Sequence, residues 1–261
     1  MHIIVCIKQV VTGDRVKIDP GTYSLVRSAE SSTINPFDLF ALDVAVQLKK
    51  EHSGSITAVT MGPKISEEVL WEALALGADR AVLLSDIRFS ASDTLATSYV
   101  LGMGIRKIGA FDLILCGMRT TDGDTGQVGP QLAEELDLPH IGAVEKVEEE
   151  KGLFRIERVS DGFREIVEVS APALFTISLK TAVRLPRLID IQDAFTRYSI
   201  ECWNLEDLNS DPNKVGRLGS GTWVEGFTPA AQKKSCVFIE GDTRQQARIL
   251  LSRLLETNLL S

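Results

Sequence analysis

Short apolar strands and amphipathic helices alternate from the amino terminus, and this alternation restricts the chain to a small set of folds. Ile3 to Ile7, Ser55 to Thr60 and Arg80 to Leu84 are apolar runs of strand length. Between them, Pro36 to Lys49 and Glu67 to Leu76 carry apolar residues at the helical period. Repeated strand–helix units with almost continuously apolar strands predict an α/β protein, in which helices cover both faces of a parallel sheet.

A loop of small and polar residues, Gly117 to Pro130, follows the predicted strand Asp112 to Cys116 and precedes a predicted helix. At such a position, backbone N–H groups and the helix dipole favour an anion. Gly126 and Gly129 allow close approach of the backbone, and Thr125 and Gln127 add side-chain donors. These features predict either a nucleotide site or an ordinary strand-to-helix connection.

Three other strand ends are expected near this loop, because parallel sheets bind ligands outside the carboxyl ends of their strands. They are Lys8 to Val10, Met61 to Pro63, and Ser85 with Asp86. The chain has no Gly-x-Gly-x-x-Gly after its first strand and no P-loop, and no nucleophile–base pair is evident. We therefore expect a binding site whose chemistry belongs to a bound cofactor.

The second half of the chain changes character. Asp161 and Gly162 separate two alternating runs and predict a hairpin, and Pro172 to Ile177 predicts another buried strand. After residue 200 the regular pattern stops, so we expect a nucleotide-binding domain over 1–200 and a carboxyl-terminal arm over 201–261. The arm ends in an amphipathic helix and is expected to pack on another subunit, or alternatively back on its own domain.

Composition argues against several classes of partner and site. The formal net charge of -8 disfavours nucleic acid, which requires a basic face. No apolar window is long enough for a membrane span, and the amino terminus has no signal-peptide pattern, so a cytoplasmic location is expected. The four cysteines lack metal-ligand spacing, and Cys6 and Cys116 are expected as small buried side chains.

Taken together, several short motifs in order along the chain resemble the β subunit of electron transfer flavoproteins over essentially the full length. Each motif is weak alone, but their colinear order is specific. They are Val5–Val10, Asn35–Asp38, Met61–Pro63, Ala73–Arg80, Asp112–Gly117 and Asp122–Pro130, followed by parts of the family signature at Val159–Phe163, Ala171–Ala173, Leu185–Arg187 and Ala194.

The resemblance implies a Rossmann-like parallel sheet of the adenine nucleotide α-hydrolase type and a heterodimer with a larger α subunit that carries FAD. Respiratory members hold a structural AMP in the β subunit. In electron-bifurcating members the same pocket holds a second FAD, which exchanges a hydride with NAD(H) and splits the electron pair. The low-potential acceptor is then ferredoxin or flavodoxin.

By position in the family motifs, the resemblance implies that the residues lining the nucleotide pocket are Cys6, Asn35, Asp38, Met61, Arg119, Thr120, Asp122, Thr125, Gly126, Gln127, Val128 and Gly129. Asn35 and Asp38 would bond the adenine or ribose, although Asn35 before a proline also predicts a helix N-cap. The residues from Thr125 to Gly129 would surround phosphate.

Ser92 to Ser98 resembles an Asp-Thr-x-Ala-Thr segment of the bifurcating branch, with Asp93, Thr94 and Thr97 at a helix start. Thr94 and Thr97 suit a pyrophosphate, although helix capping alone would also select such residues. We therefore favour FAD over AMP. An ATP-using single domain of the same fold is disfavoured, because the Ser-Gly-Gly-x-Asp motif of ATP pyrophosphatases is missing.

The chain departs from the family in the segment that docks the dehydrogenase. Leu179 to Arg187 lacks the usual Asn of an Asn-x-Pro-Arg pattern. The expected partner is therefore a flavoprotein dehydrogenase of either the acyl-CoA or the 2-hydroxy acid type.

Overall fold

The structure is a computed structural model that describes residues 1–11, 32–178, 185–226 and 236–257. A nine-stranded mixed sheet forms its centre, in the strand order β11-β5-β4-β1-β6-β10-β7-β8-β9, and β2 pairs with β3 in a separate antiparallel ribbon. The strands are β1 (His2–Cys6), β2 (Gln9–Val11), β3 (Ser32–Ile34), β4 (Ser55–Met61), β5 (Arg80–Leu84), β6 (Leu113–Gly117), β7 (His140–Glu150), β8 (Leu153–Ser160), β9 (Phe163–Ser170), β10 (Ala173–Ile177) and β11 (Ile200–Trp203).

Helices cover both faces of the sheet, as the apolar strands predicted. They are α1 (Pro36–His52), α2 (Glu67–Leu76), α3 (Thr94–Ile108), α4 (Val128–Leu136), α5 (Leu188–Arg197), α6 (Gly216–Gly219) and α7 (Thr243–Glu256). α1, α2 and α5 bury their apolar residues with Ile3 and Val5 on one face. α3 and α4 pack with Ile4 and Cys6 on the other face. The alternation of side chains along β1 divides the core into these two layers.

The topology places a switch point between β1 and β6. From β1 the chain runs outward through α1 to β4 and through α2 to β5, on one face of the sheet. It then crosses the other face through α3 and returns to β6 on the opposite side of β1. Open α/β sheets bind ligands at the carboxyl ends of the strands beside such a point.

The predicted hairpin is confirmed. β8 pairs with β9 in antiparallel register around Asp161 and Gly162, whose φ angles are 50° and 80°. Positive φ at both central residues is what a tight two-residue hairpin turn requires. β7 begins in parallel register with β10 and continues as the antiparallel neighbour of β8, so that the hairpin extends the parallel sheet.

The expected arm begins later than residue 201. β11 adds a parallel strand beside β5. Trp203 at its end is only 9% exposed, and the cations of Arg80 and Lys107 lie over its ring. The strand forms without a repeating sequence pattern because pairing of its backbone with β5 and burial of the Trp203 indole stabilise it. The first compact unit therefore comprises Met1–Glu225.

The second compact unit comprises Gly226–Ser261. Its helix α7 matches the predicted amphipathic helix, and Asp242 begins it by accepting hydrogen bonds from the N–H groups of Arg244 and Gln245. Of the predicted docking segment from Leu179 to Arg187, residues 179–184 lie outside the described residues. Within the described ranges, no helix has both the length and the hydrophobicity needed to cross a bilayer.

Candidate functional site

The amino termini of α3 and α4 meet at the carboxyl-terminal edge of the sheet. Thr94, the first residue of α3, places its hydroxyl 2.8 Å from Oε1 of Gln127, which immediately precedes α4. The first N–H groups of a helix have no carbonyl partner within that helix, and its amino terminus carries a partial positive charge. Two such termini at one edge create a region that favours an anion such as a phosphate.

Closely packed glycines stand at both ends of the β6–α4 loop, residues 118–127. A Cβ on Gly117 would lie 2.7 Å from Cβ of Phe37, and Gly129 packs directly on the side chain of Thr176. Gly126 has a φ of +63°. Glycine is therefore required at Gly117 and Gly129 by space and at Gly126 by backbone conformation. The side chains of Thr125 and Gln127 are exposed at the surface of this loop.

Asn35 fastens the β6–α4 loop to the start of α1. It is fully buried; its Nδ2 donates to the carbonyl of Arg119 at 2.9 Å, and its Oδ1 accepts from the N–H of Thr121 at 3.2 Å. Asn35 occupies the N-cap position of α1, but its side chain makes no capping hydrogen bond. The predicted N-cap is therefore confirmed by position, but the side chain of Asn35 bonds the β6–α4 loop and not the helix start.

Asp38 joins the ends of β1 and β6. Its carboxylate accepts the N–H of Lys8 at 2.8 Å and that of Gly117 at 3.0 Å. Burial raises the pKa of Asp38 to about 7, although these two N–H groups and the Asn35 amide favour the ionised form. Asn35 and Asp38 are thus engaged by protein partners and shape the edge, while their expected contact with adenine or ribose remains a prediction.

Charged side chains tie the loop to β1 and α1. Nζ of Lys8 lies 2.7 Å from Oδ1 of Asp122. Burial acts to raise the pKa of Asp122, but the ammonium of Lys8 and other hydrogen bonds outweigh it and lower the pKa. The Arg119 guanidinium lies over the ring of Phe37 and 3.2 Å from Oδ1 of Asp124. About half of the Arg119 side chain is exposed, so its charge remains accessible at the edge.

Cys6 and Met61 end β1 and β4 beneath the helix termini. Cys6 is buried, and Met61 is half-buried against the same apolar cluster. A hydrogen bond with Cys6, together with burial, raises the pKa of the neighbouring Cys116 thiol well above its usual value. Both cysteines are small buried side chains in the apolar layer beneath this edge, as expected.

Asp93 caps α3 and also binds a distant segment. Its Oδ1 accepts the N–H of Ala96, and its Oδ2 accepts both the N–H and the hydroxyl of Thr222. Burial acts to raise the pKa of Asp93, but these hydrogen bonds together lower it. Sequence reasoning missed Thr222 because the segment from 204 onward shows no periodic pattern.

The predicted site residues thus gather at one edge of the sheet, in three groups. β1, β4 and α1 contribute Cys6, Met61, Asn35 and Asp38; α3 contributes Asp93, Thr94 and Thr97; and the β6–α4 region contributes Arg119, Thr120, Asp122, Thr125, Gly126, Gln127, Val128 and Gly129. The sequence predicted Lys8 only as part of a strand end. In the structure its ammonium group bonds Asp122 and so fastens the β6–α4 loop.

A cleft of about 520 Å³ lies at the opposite edge, lined in part by Gly54 and Ala110. These residues follow the carboxyl termini of α1 and α3. Helix carboxyl termini carry partial negative charge, so this cleft is a poor anion site. The electrostatics therefore favour the edge where α3 and α4 begin.

Residues 22–190, more than half of the chain, match the electron transfer flavoprotein domain family. The chain belongs to this family. Its Rossmann-like α/β fold, with a mostly parallel sheet, agrees with the membership.

Relatives with named functions cover almost the whole chain. The chain is 38% identical to the electron transfer flavoprotein subunit beta of Thermoanaerobacterium thermosaccharolyticum, over 97% of this chain and 98% of the relative. It is 36% identical to protein FixA of Azorhizobium caulinodans, over 98% and 94%. It is also 38% identical to the caffeyl-CoA reductase-Etf complex subunit CarD of Acetobacterium woodii, over 100% of both chains. The chain is therefore similar to β-subunit and FixA members of the family.

Proposed function

We propose that this chain is the β subunit of an electron transfer flavoprotein and binds the FAD that exchanges electrons with NAD(H). The observation that carries the proposal is the meeting of the α3 and α4 amino termini, marked by the 2.8 Å contact between Thr94 and Gln127. A dinucleotide has two phosphates, and two converging helix termini offer donors for both.

The donor set at this edge suits such a group. Thr94 and Thr97 are one turn apart on α3, and the hydroxyl of Thr125 and the amide of Gln127 are exposed on the facing loop. Val128 and Gly129 begin α4, and the missing side chain of Gly129 lets the helix start pack closely on Thr176 of β10. A bound flavin supplies electron transfer, while the residues of this chain bind and orient it.

The cations and carboxylates at the edge have separate roles in this proposal. Arg119 is half-exposed and offers a guanidinium to a phosphate or to a negatively charged ring. Lys8 is paired with Asp122 and holds the loop in place. Asn35 and Asp38 fix the distance between β1, α1 and β6, so that the two helix termini converge before the nucleotide binds.

We favour FAD over AMP, and electron bifurcation over simple electron carriage, because Asp93, Thr94 and Thr97 form the start of α3 at the site. A relative named as a subunit of a caffeyl-CoA reductase-Etf complex supports assembly with a reductase or dehydrogenase partner. In the bifurcating reaction the low-potential acceptor is ferredoxin or flavodoxin. The alternative is an electron carrier subunit that holds a structural AMP.

The proposed partners are an α subunit that carries its own FAD and a flavoprotein dehydrogenase of the acyl-CoA or 2-hydroxy acid type. The second unit, with the amphipathic helix α7, is proposed to pack on the α subunit. Its leucines at Leu250, Leu251, Leu254 and Leu255 provide apolar surface for such contact. We propose a cytoplasmic location for the complex.

The test is the cofactor content of the chain co-purified with its α subunit, measured by acid release and chromatography. Two FAD per heterodimer and no AMP are expected. One FAD and one AMP would contradict bifurcation and leave the electron-carrier alternative. A preparation without adenine nucleotide in the β subunit would contradict the proposed site itself.

A further inference from the structure

A segment that follows β11 lies across the start of α3. We call residues 204–222 the strap. The N–H of Leu205 donates to Oδ2 of Asp86 at 3.1 Å, and the N–H of Gly216 donates to the hydroxyl of Ser92 at 3.1 Å. Gly216 has a φ of +57° and packs against the backbone of the loop before α3. The strap is therefore closely fitted to this loop along much of its length.

Asp93 is the point at which the strap and the helix are joined. Its N–H donates to the hydroxyl of Ser220 at 2.8 Å. Its Oδ1 accepts the N–H of Ala96 at 3.1 Å, and its Oδ2 accepts the N–H and the hydroxyl of Thr222 at 2.9 and 3.1 Å. One carboxylate oxygen thus orients the first turn of α3, and the other holds the end of the strap.

We propose that Asp93 is a positioning residue and that Thr222, through Asp93, couples closure of the strap to nucleotide binding. The inference rests on the proposed nucleotide site at the start of α3. A carboxylate facing a phosphate would repel it, whereas the carboxylate of Asp93 is turned to donors from the helix and the strap. Because Asp93 caps α3 by accepting the N–H of Ala96, the N–H groups of Thr94 and Leu95 at the helix start remain for the ligand.

The coupling must act in both directions. If the strap holds Asp93 in the orientation that caps α3, loss of this hold weakens the binding of an anion at the helix terminus. By thermodynamic linkage, an anion bound there stabilises the closed strap by the same factor.

The experiment uses the full-length chain and three substitutions. Thr222→Val removes the hydroxyl but keeps the N–H bond to Asp93, and Thr222→Ser restores a hydroxyl. Thr196→Val is the matched control, because Thr196 is exposed on α5 and its hydroxyl bonds only to carbonyls of its own helix. Calorimetry with AMP and with FAD is expected to show affinity about tenfold weaker in Thr222→Val, and within about twofold of wild type in the other two.

Trypsin cleavage supplies the second measurement, since Lys214 and Arg217 are exposed within the strap. We expect bound nucleotide to slow this cleavage in the wild type and much less in Thr222→Val. Faster cleavage in Thr222→Val with unchanged nucleotide affinity would overturn the coupling and leave a merely structural contact. A wild-type chain that binds neither AMP nor FAD would instead overturn the proposed function.

Discussion

Replacement of Gly117 by alanine tests how closely the end of β6 must approach α1. The new Cβ would collide with the carboxylate of Asp38 and lie 2.7 Å from Cβ and 2.8 Å from the carbonyl carbon of Phe37. Ordinary contact begins near 3.4 Å, so the backbone of α1 or β6 must retreat by about 0.7 Å. The helix start is packed on both sides, and this movement cannot be confined to a flexible side chain.

Two effects lower the free energy of unfolding of Gly117→Ala. Overpacking of a close-packed interior costs about 1–3 kcal/mol. Displacement also weakens the 3.0 Å hydrogen bond from Gly117 to the buried Asp38 carboxylate, and a bond to a charged group contributes about 1.5–3 kcal/mol. The sum is about 3–6 kcal/mol, a large fraction of the about 5–15 kcal/mol by which proteins are stable.

The assay is urea unfolding followed by circular dichroism, with Gly123→Ala as the matched control. A Cβ on Gly123 would lie 3.6 Å from the hydroxyl of Thr120, which is an ordinary contact in the same loop. Gly123→Ala should stay within about 0.5 kcal/mol of wild type. If Gly117→Ala is equally stable, the close approach of β6 to α1 does not constrain the site as argued.

Three further predictions concern other parts of the chain. Because burial raises the pKa of Asp38 to about 7, the stability that this group contributes is greatest at acid pH and is lost as pH rises from about 4 to about 8. The free energy of unfolding in urea, measured across this pH range, should fall by up to about 4 kcal/mol in the wild type. Asp38→Asn should lack this loss. Trp203→Ala should lower the free energy of unfolding by about 3–5 kcal/mol in the same assay. Trp223, whose side chain is 61% exposed, is the control, and Trp223→Ala should lower it by less than about 0.5 kcal/mol. Similar losses in the two variants would contradict the burial of β11. Asp242→Ala should destabilise α7 by about 1 kcal/mol, because it removes the side chain that caps the helix. Amide hydrogen exchange in the first turn of α7 should become faster, and unchanged exchange would contradict the cap.

The regular part of the fold could be predicted because its signals are local. The apolar runs of β1, β4, β5 and β6 and the helical periods between them each reflect burial of one element. β11 was missed because it has four residues and is stabilised by pairing with β5, a contact distant in sequence. β7 was missed because its exposed half is charged, and α5 was missed because it is only ten residues long, too short for its apolar period to stand out.

The sequence predicted that the strand ends and the Gly-rich loop lie together, and they do lie at one edge of the sheet. That this edge binds a nucleotide stays a prediction, and the roles of its side chains could not all be assigned from sequence. Asn35 and Asp38 were expected to face a ligand, yet their partners in the structure are Arg119, Thr121 and Gly117. Such contacts join residues about 80 positions apart, and no periodic pattern encodes them.

The most direct test of the central claim is calorimetric titration of FAD into the full-length chain and into Thr94→Val. We expect one FAD per wild-type chain and affinity about ten- to a hundredfold weaker in Thr94→Val, because the substitution removes a hydroxyl from the helix terminus proposed to face the phosphate. Thr196→Val should bind as the wild type does. Equal affinity in Thr94→Val and wild type would contradict a nucleotide site at the meeting of α3 and α4.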